Sequence, residues 1–296
     1  MADVSQPGEP VVGTTANFAL RLRYVVCGWL LRLAYGVLGL RRRTIGANLA
    51  KSFPTVDSAG LRRVRREFVA RQAEVLAEID YSRRISADEL RARVRIVNPE
   101  ILRSAVAPRP TILAAAHQCN FEWLLLRVSL ELGDGLLALY KPLRNARAEA
   151  YFRSIRTRFG TRLVPAKSVL RELANFRQSR AIGLVADQVP RTSPDKHWVR
   201  FLEQSTAFYM GPEMLGRALR SQVCYLSMRR LDRGRYELEF VPLNEPGEKL
   251  PPGEITTRYA RALERDIQAD PAGWWWSHRR WKLTAPGEER VTGGKK

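Results

Sequence analysis

Three short apolar runs constrain this chain most: Thr111–Ala115 (TILAA), Leu136–Tyr140 (LLALY) and Ala181–Ala186 (AIGLVA). Each has the length and composition of a strand buried in a sheet. A fourth short strand fits Arg162–Pro165. Between them lie segments patterned as helices: Asn120–Leu132, the basic stretch Arg147–Phe159 ended by Gly160, and Ser168–Arg180 with Ser168 as its cap. Strands alternating with helices predict an α/β fold, a mostly parallel sheet flanked by helices. Further on, Thr206–Arg220 reads as helix. Val223–Leu231 and Tyr236–Leu243, joined through Asp232-Arg233-Gly234-Arg235, read as a hairpin that makes the sheet mixed. Ile255–Ala269 is a final amphipathic helix.

The N-terminal region carries a different signal. After a polar lead comes Phe18–Leu40, in which Tyr24–Leu40 is apolar except for Arg32. That is near the lower limit for a membrane span, which needs roughly 20 apolar residues. Arg21 and Arg23 precede the run and Arg41, Arg42 and Arg43 follow it, so loop charge gives no orientation. No small-residue cleavage site follows, which argues against a cleaved signal peptide. A short transmembrane anchor, a helix in the headgroup plane and a buried core helix all remain open. Arginines clustered beside an apolar stretch favour membrane contact. Ser52–Asp57 reads as a loop and cap. It precedes a helix from Ser58 to Ser82 with Leu61, Val64, Phe68, Leu76 and Ile79 on one face, and most of Arg62, Arg63, Arg65, Arg66 and Arg71 on the other. The expected organisation is a disordered lead at 1–17, an anchor helix at 18–43, a catalytic domain at 44–286 and a disordered tail at 287–296.

Charge narrows the partners. The chain holds 50 Lys+Arg against 30 Asp+Glu, a net +20, and such a surface seeks nucleic acid, an anionic membrane or acidic substrates. Cys27, Cys119 and Cys224 are few and widely spaced, which fits free thiols in a reducing compartment and no metal pair. With only His117, His197 and His278 present, any histidine chemistry must use one of the three.

The candidate chemistry lies at Ala114-Ala-Ala-His117-Gln-Cys-Asn-Phe-Glu122, where a buried strand ends and a helix begins. Ligands in open α/β sheets bind at the carboxyl ends of strands. Residues five apart on one helix diverge by about 140°, so His117 and Glu122 can pair only if His117 sits in the loop before the helix. A carboxylate on one imidazole nitrogen would fix the tautomer, leaving the other to deprotonate a hydroxyl. The bland alternative is a loop histidine and a glutamate that favours a helix N-terminus.

This segment matches the HX4D/E motif of glycerolphosphate-type acyltransferases, and the chain resembles the bacterial lipid A biosynthesis acyltransferase family. The likeness extends along the chain: Asn48-Leu49…Phe53-Pro54, Tyr140-Lys141-Pro142-Leu-Arg-Asn145, Ala186-Asp187-Gln188, the threonine at 206, and Trp276-Ser-His278-Arg279-Arg280-Trp281-Lys282. Two segments depart from the family pattern, Val189-Pro190-Arg191 after the aspartate and Arg200–Gln204 before Thr206. The resemblance implies a glycerolphosphate-acyltransferase-like fold with an N-terminal membrane-associated helix. It also implies transfer of an acyl chain from an acyl-carrier-protein thioester, or another acyl thioester, to a hydroxyl of an anionic lipid A precursor. No cofactor and no metal are implied. His117 would be the base, Glu122 its orienter and Arg156 the grip on phosphate or the thioester end. Asp187 would position Arg156 or the acceptor, with Asn120, Tyr140 and Lys141 also binding substrate. The protein would work at the bacterial inner membrane with its catalytic domain facing the cytoplasm, where acyl carrier protein resides. Trp274, Trp275, Trp276 and Trp281 read either as a headgroup-depth cluster or as core. The rival classes are an acyltransferase with another phospholipid or glycolipid acceptor, and a basic nucleic-acid-binding protein. Against the latter, no RNA-binding signature appears, so no nucleic acid is expected.

Overall fold

The computed structural model describes residues 14–104, 109–169, 171–190 and 196–287. The expected disordered tail lies outside these residues except for Gly287, and so does the lead before Thr14. Helix α1 spans Thr14–Leu31 and continues as a π-helical turn over Arg32–Val37. Gly39 and Arg41 then take positive φ angles, 63° and 56°, and α2 (Arg42–Ser52) leaves at 83° to the preceding segment. No single helix among the described residues is long and apolar enough to cross a membrane; only this bent pair qualifies by length and composition. The expected continuous anchor at 18–43 is therefore broken near Leu38.

Helix α3 (Ser58–Tyr81) is capped by Asp57, whose side chain accepts from Gly60 N, and packs along α1. There follow α4 (Ala87–Arg93), β1 (Val94–Ile96), α5 (Glu100–Ser104), β2 (Thr111–Ala115), α6 (Phe121–Leu132), β3 (Leu136–Tyr140), α7 (Ala146–Arg156) and β4 (Arg162–Pro165). The second half holds α8 (Leu173–Gln178), β5 (Ala181–Val185), β6 (Lys196–Phe201), β7 (Gln204–Tyr209), α9 (Gly211–Leu219), β8 (Val223–Asp232), β9 (Arg235–Pro242) and α10 (Glu254–Ala269).

Among the described residues seven strands form one sheet in the order β1-β9-β8-β2-β5-β3-β4, in which β8-β9 pair antiparallel and the other pairs are parallel. The mostly parallel mixed sheet is thus borne out, hairpin included. Central β2 is buried at every position. Its Ile112 and Ala114 join a core shared with α9 and α10; Leu113 and Ala115 join a second core with α3 and α6 on the other face. Side chains alternate between the faces of a strand, so a five-residue apolar run feeds both layers.

Two expectations are corrected. The helix expected over Thr206–Arg220 is shorter, because Gln204–Tyr209 pairs with β6 as a small antiparallel ribbon and the helix starts only at Gly211. Thr206, Ala207 and Phe208 are all buried, so no alternation marks the strand and the run reads as the start of the following helix. The helix expected over Ser168–Arg180 is reduced to α8, with Ala166–Ser168 in a 3-10 turn.

Candidate active site

The site forms where β2 and β5 end side by side. These strands run parallel with Ala115 in register with Val185. Two residues beyond each, the chain places His117 and Asp187 against one another. His117 Nδ1 lies 2.7 Å from Asp187 Oδ1, and the backbone N–H of His117 donates to Oδ2 at 3.1 Å. Trp274 Nε1 donates to the same Oδ2 at 2.9 Å. Asp187 is buried and accepts all three bonds. Burial alone would push its pKa up, but the His117 charge and these bonds hold it below the ordinary carboxylate value. Burial likewise opposes the charged imidazole, yet the Asp187 charge and hydrogen bond prevail and raise the His117 pKa.

With Asp187 accepting at Nδ1, neutral His117 carries its proton there and presents a lone pair at Nε2. Gln188 Nε2 stands 3.1 Å from that atom. Phe121 and Trp275 flank the imidazole edge-on, with centroids 4.8 and 5.7 Å away. The loop itself is pinned: Cys119 N donates to Gly273 O at 2.9 Å, Trp275 N to His117 O at 3.1 Å, and Tyr259 Oη to Ala115 O at 2.8 Å. Cys119 takes a left-handed φ of 50° within it. It is buried and its thiol is pushed far above the ordinary value by that burial, which makes it a poor nucleophile.

His117 does sit in the loop ahead of α6, as the five-residue spacing requires, but Glu122 is not its partner. Glu122, in the first turn of α6 and 2% exposed, grips Arg156 from the last turn of α7. Arg156 Nε lies 2.9 Å from Oε2 and Nη2 lies 2.5 Å from Oε1, a bidentate pair. Burial works against the guanidinium, but Glu122 outweighs it and raises the Arg156 pKa. The carboxylate orienting His117 is therefore Asp187, which was expected to position Arg156 or the acceptor. Each carboxylate is exchanged with respect to the expectation. Glu122 is not remote: its charge also contributes to raising the His117 pKa.

Asn120 is corrected too. It is fully buried and faces away from the opening, with its Oδ1 capping α6 through Trp123 N at 3.0 Å and its Nδ2 bonded to Glu78 at 2.8 Å. Tyr140 and Lys141 lie at the carboxyl end of β3, on the same cavity as His117, Glu122 and Arg156. Tyr140 Oη donates to Glu149 at 2.8 Å, and Lys141 is exposed. This cavity, of about 520 Å³, opens at His117 and runs between α6 and the sheet. Its walls are aliphatic: Leu113, Leu124, Leu125 and Val128 on one part, Leu136, Ala138, Gly183 and Leu226 on another. Its mouth carries Lys141 and Arg144. Among the described residues no group of three or more His, Cys, Asp or Glu could hold a metal ion.

Of the four tryptophans that read either as a headgroup-depth cluster or as core, two are core. Trp276 is fully buried and Trp274 nearly so, stacked edge to face at 4.8 Å. Trp274 and Gln188 are site residues that motif reading passed over. Gln188 had a signal, its place beside Asp187 in the turn; Trp274 is more than eighty residues from the aspartate it holds and had none.

A model of the family described as bacterial lipid A biosynthesis acyltransferase matches residues 15–283. No curated protein matches the chain.

Proposed function

The chain belongs to the bacterial lipid A biosynthesis acyltransferase family, and from that premise we propose that it moves a fatty acyl chain from an acyl-carrier-protein thioester to a hydroxyl of an anionic lipid A precursor. The observation that carries the reading is a candidate base, His117 Nε2, on an aliphatic-walled cavity of about 520 Å³, a volume and lining that suit an alkyl chain. In this reading the chain lies between α6 and the sheet, with the thioester carbonyl beside His117. An acceptor hydroxyl displaces the Gln188 amide and gives its proton to Nε2. The oxygen attacks the carbonyl carbon, forming the C–O bond, while Asp187 stabilises the imidazolium. The C–S bond then breaks, and the departing thiolate takes the proton from Nε2. No net proton is gained or lost.

Arg156 answers the charge that develops on the carbonyl oxygen. Glu122 uses its Nε and Nη2, and no protein partner is found for Nη1 among the described residues. A fixed guanidinium in a water-poor site stabilises such a charge without reorganising. Lys141 and Arg144 at the mouth suit the phosphates of a carrier or a lipid.

The membrane reading rests on α1. Phe18, Leu22, Val25, Trp29 and Leu30 are all more than half exposed, while the opposite side packs on α3. Arg21, Arg32 and Arg41–Arg43 are exposed around it. An apolar face with a basic border, backed by protein, suits a helix seated in the headgroup region of an anionic inner membrane. The catalytic domain then faces the cytoplasm, where acyl carrier protein is found.

The test is transfer of labelled acyl chain from the carrier thioester to a lipid A precursor by wild type and His117→Ala. Labelled lipid that disappears in the variant is the expected result. Transfer at the wild-type rate by His117→Ala would remove the base from the mechanism. Thioester consumption with another lipid acceptor alone would redirect the acceptor and keep the reaction.

A further inference from the structure

Glu78 is the residue of this fold that neither the site nor the core explains. It lies in α3, fully buried, yet ends in a carboxylate. Burying such a group is expensive unless it is fully hydrogen-bonded, and an apolar side chain would fill the space at lower cost. Three donors from three different elements converge on it. Tyr24 Oη of α1 reaches Oε1 at 2.8 Å; Asn120 Nδ2, from the loop before α6, reaches Oε2 at 2.8 Å; Tyr236 Oη of β9 reaches Oε2 at 2.7 Å. Burial pushes the carboxyl up to about 7, against the pull of these bonds.

The Asn120 contact matters most. Both ends of that amide are committed, Oδ1 to the cap of α6 and Nδ2 to Glu78. Asn120 stands three residues after His117 and two before Glu122, so its position sets both. At the other end, Tyr24 points inward from the helix whose outward face is bare apolar surface. Two residues on, Asp80 ties the same helices again: it takes Arg23 of α1 at 2.7 Å and Tyr151 of α7 at 3.1 Å, the helix that carries Arg156.

We propose that Glu78 is a positioning residue that ties the loop of His117 to the N-terminal helix, so that the geometry of the base depends on how that helix is seated. The role assigned to His117 rests on the acyl-transfer reading; the physical tie between Tyr24 and the loop does not.

Glu78 variants risk failing to fold, so the test uses its two partners in the full chain: Tyr24→Phe, which removes one hydroxyl, and Asn120→Ser, which keeps a capping oxygen and removes the amide donor. Transfer from labelled acyl thioester is measured on vesicles containing anionic lipid, with thermal midpoints and amide hydrogen exchange over residues 117–124 in the same proteins. Each single variant is expected to lower kcat about three- to tenfold, the scale of one lost hydrogen bond, with KM for the thioester unchanged because neither residue lines the cavity. The double variant is expected to fall no further than the worse single, since both cut one relay. Tyr24→Phe is also expected to speed exchange in the loop. Losses that multiply, a drop in thermal midpoint with kcat intact, or exchange that Tyr24→Phe leaves unchanged would each overturn the proposal. A wild type that transfers nothing overturns the acyl-transfer reading instead, and the exchange result still decides the tie.

Discussion

Replacing Asp187 with asparagine separates the two carboxylates of this site. Oδ2 of Asp187 accepts from His117 N and Trp274 Nε1, and Oδ1 accepts from His117 Nδ1. An amide oxygen can serve the first two donors. Its NH2 then faces Nδ1 and must donate to it, so the imidazole proton moves to Nε2 and the lone pair turns away from the substrate. The volume and the buried contacts stay as they were. A tautomer reversal of this kind costs on the order of 10⁴ in kcat in hydrolase triads, about 5.5 kcal/mol of transition-state stabilisation. KM for the thioester is expected to hold, because residue 187 does not line the cavity. The pH profile carries a second signature. In the proposed reaction the base is neutral His117, whose pKa is raised chiefly by Asp187 once burial has been overcome. The acid limb of the wild-type profile therefore lies above the ordinary imidazole value of about 6.5, and residual activity of Asp187→Asn has its limb moved down. Steady-state transfer from labelled thioester across pH reads both effects. Activity within about tenfold of wild type and an unmoved limb, together with a larger loss in Glu122→Gln, would return the orienting role to Glu122 and refute the reasoning.

Three further outcomes follow from the packing. A Cβ built on Gly183 meets Leu137 O at 3.8 Å and Leu136 Cδ1 at 3.9 Å, ordinary contacts, so the backbone accepts a Cβ there and Gly183→Leu is expected to extend into the cavity that Gly183 lines. Displacing about three methylenes of substrate at ~0.8 kcal/mol each lowers kcat/KM for the longest accepted chain by roughly fiftyfold and shifts preference to shorter ones, read by competition between thioesters. Val25→Asp with Trp29→Asp, at positions 59% and 72% exposed, is expected to abolish pelleting with anionic vesicles while leaving the thermal midpoint in place. Trp123→Ala empties a fully buried site and strips donors from Glu78 O and Ser82 Oγ; about 3–5 kcal/mol of stability is lost, measurable by urea unfolding.

Most of the sheet was legible because its strands are short apolar runs bounded by polar turns, and buried parallel strands leave that trace. Ala181–Val185 and Arg162–Pro165 were read to within a residue. The β6-β7 ribbon was not, since half of its pairing lies before Thr206 in a segment with no apolar alternation strong enough to mark it. The N-terminal break was hidden for another reason. Gly39 and Arg41 take left-handed conformations, and an arginine there announces nothing in composition. In the site, the spacing of His117 and Glu122 correctly demanded a loop histidine. It could not name the partner, because that depends on strand register. Asp187 reaches His117 only because Ala115 and Val185 are paired across two strands 70 residues apart in sequence.

A carboxylate on the first turn of α6 is bound to the helix frame, and its direction is set by where α6 packs. A carboxylate on the neighbouring strand end is bound to the sheet, which also holds the histidine. The sheet pair keeps its relative position when a helix shifts by a fraction of an ångström, which makes Asp187 the better orienter of a base that needs a fixed tautomer. Glu122, carried by the helix, is the better holder of Arg156, which in the proposed reaction answers the carbonyl of a chain lying against that same helix. The two carboxylates thus divide one task by the stiffness of their supports. If so, variants that loosen α6 without touching the Asn120 tie, such as Leu126→Ala at a fully buried position, disturb the Glu122–Arg156 pair before they disturb His117. The acid limb of the pH profile should then stay in place while kcat falls, the reverse of the pattern expected from Asp187→Asn.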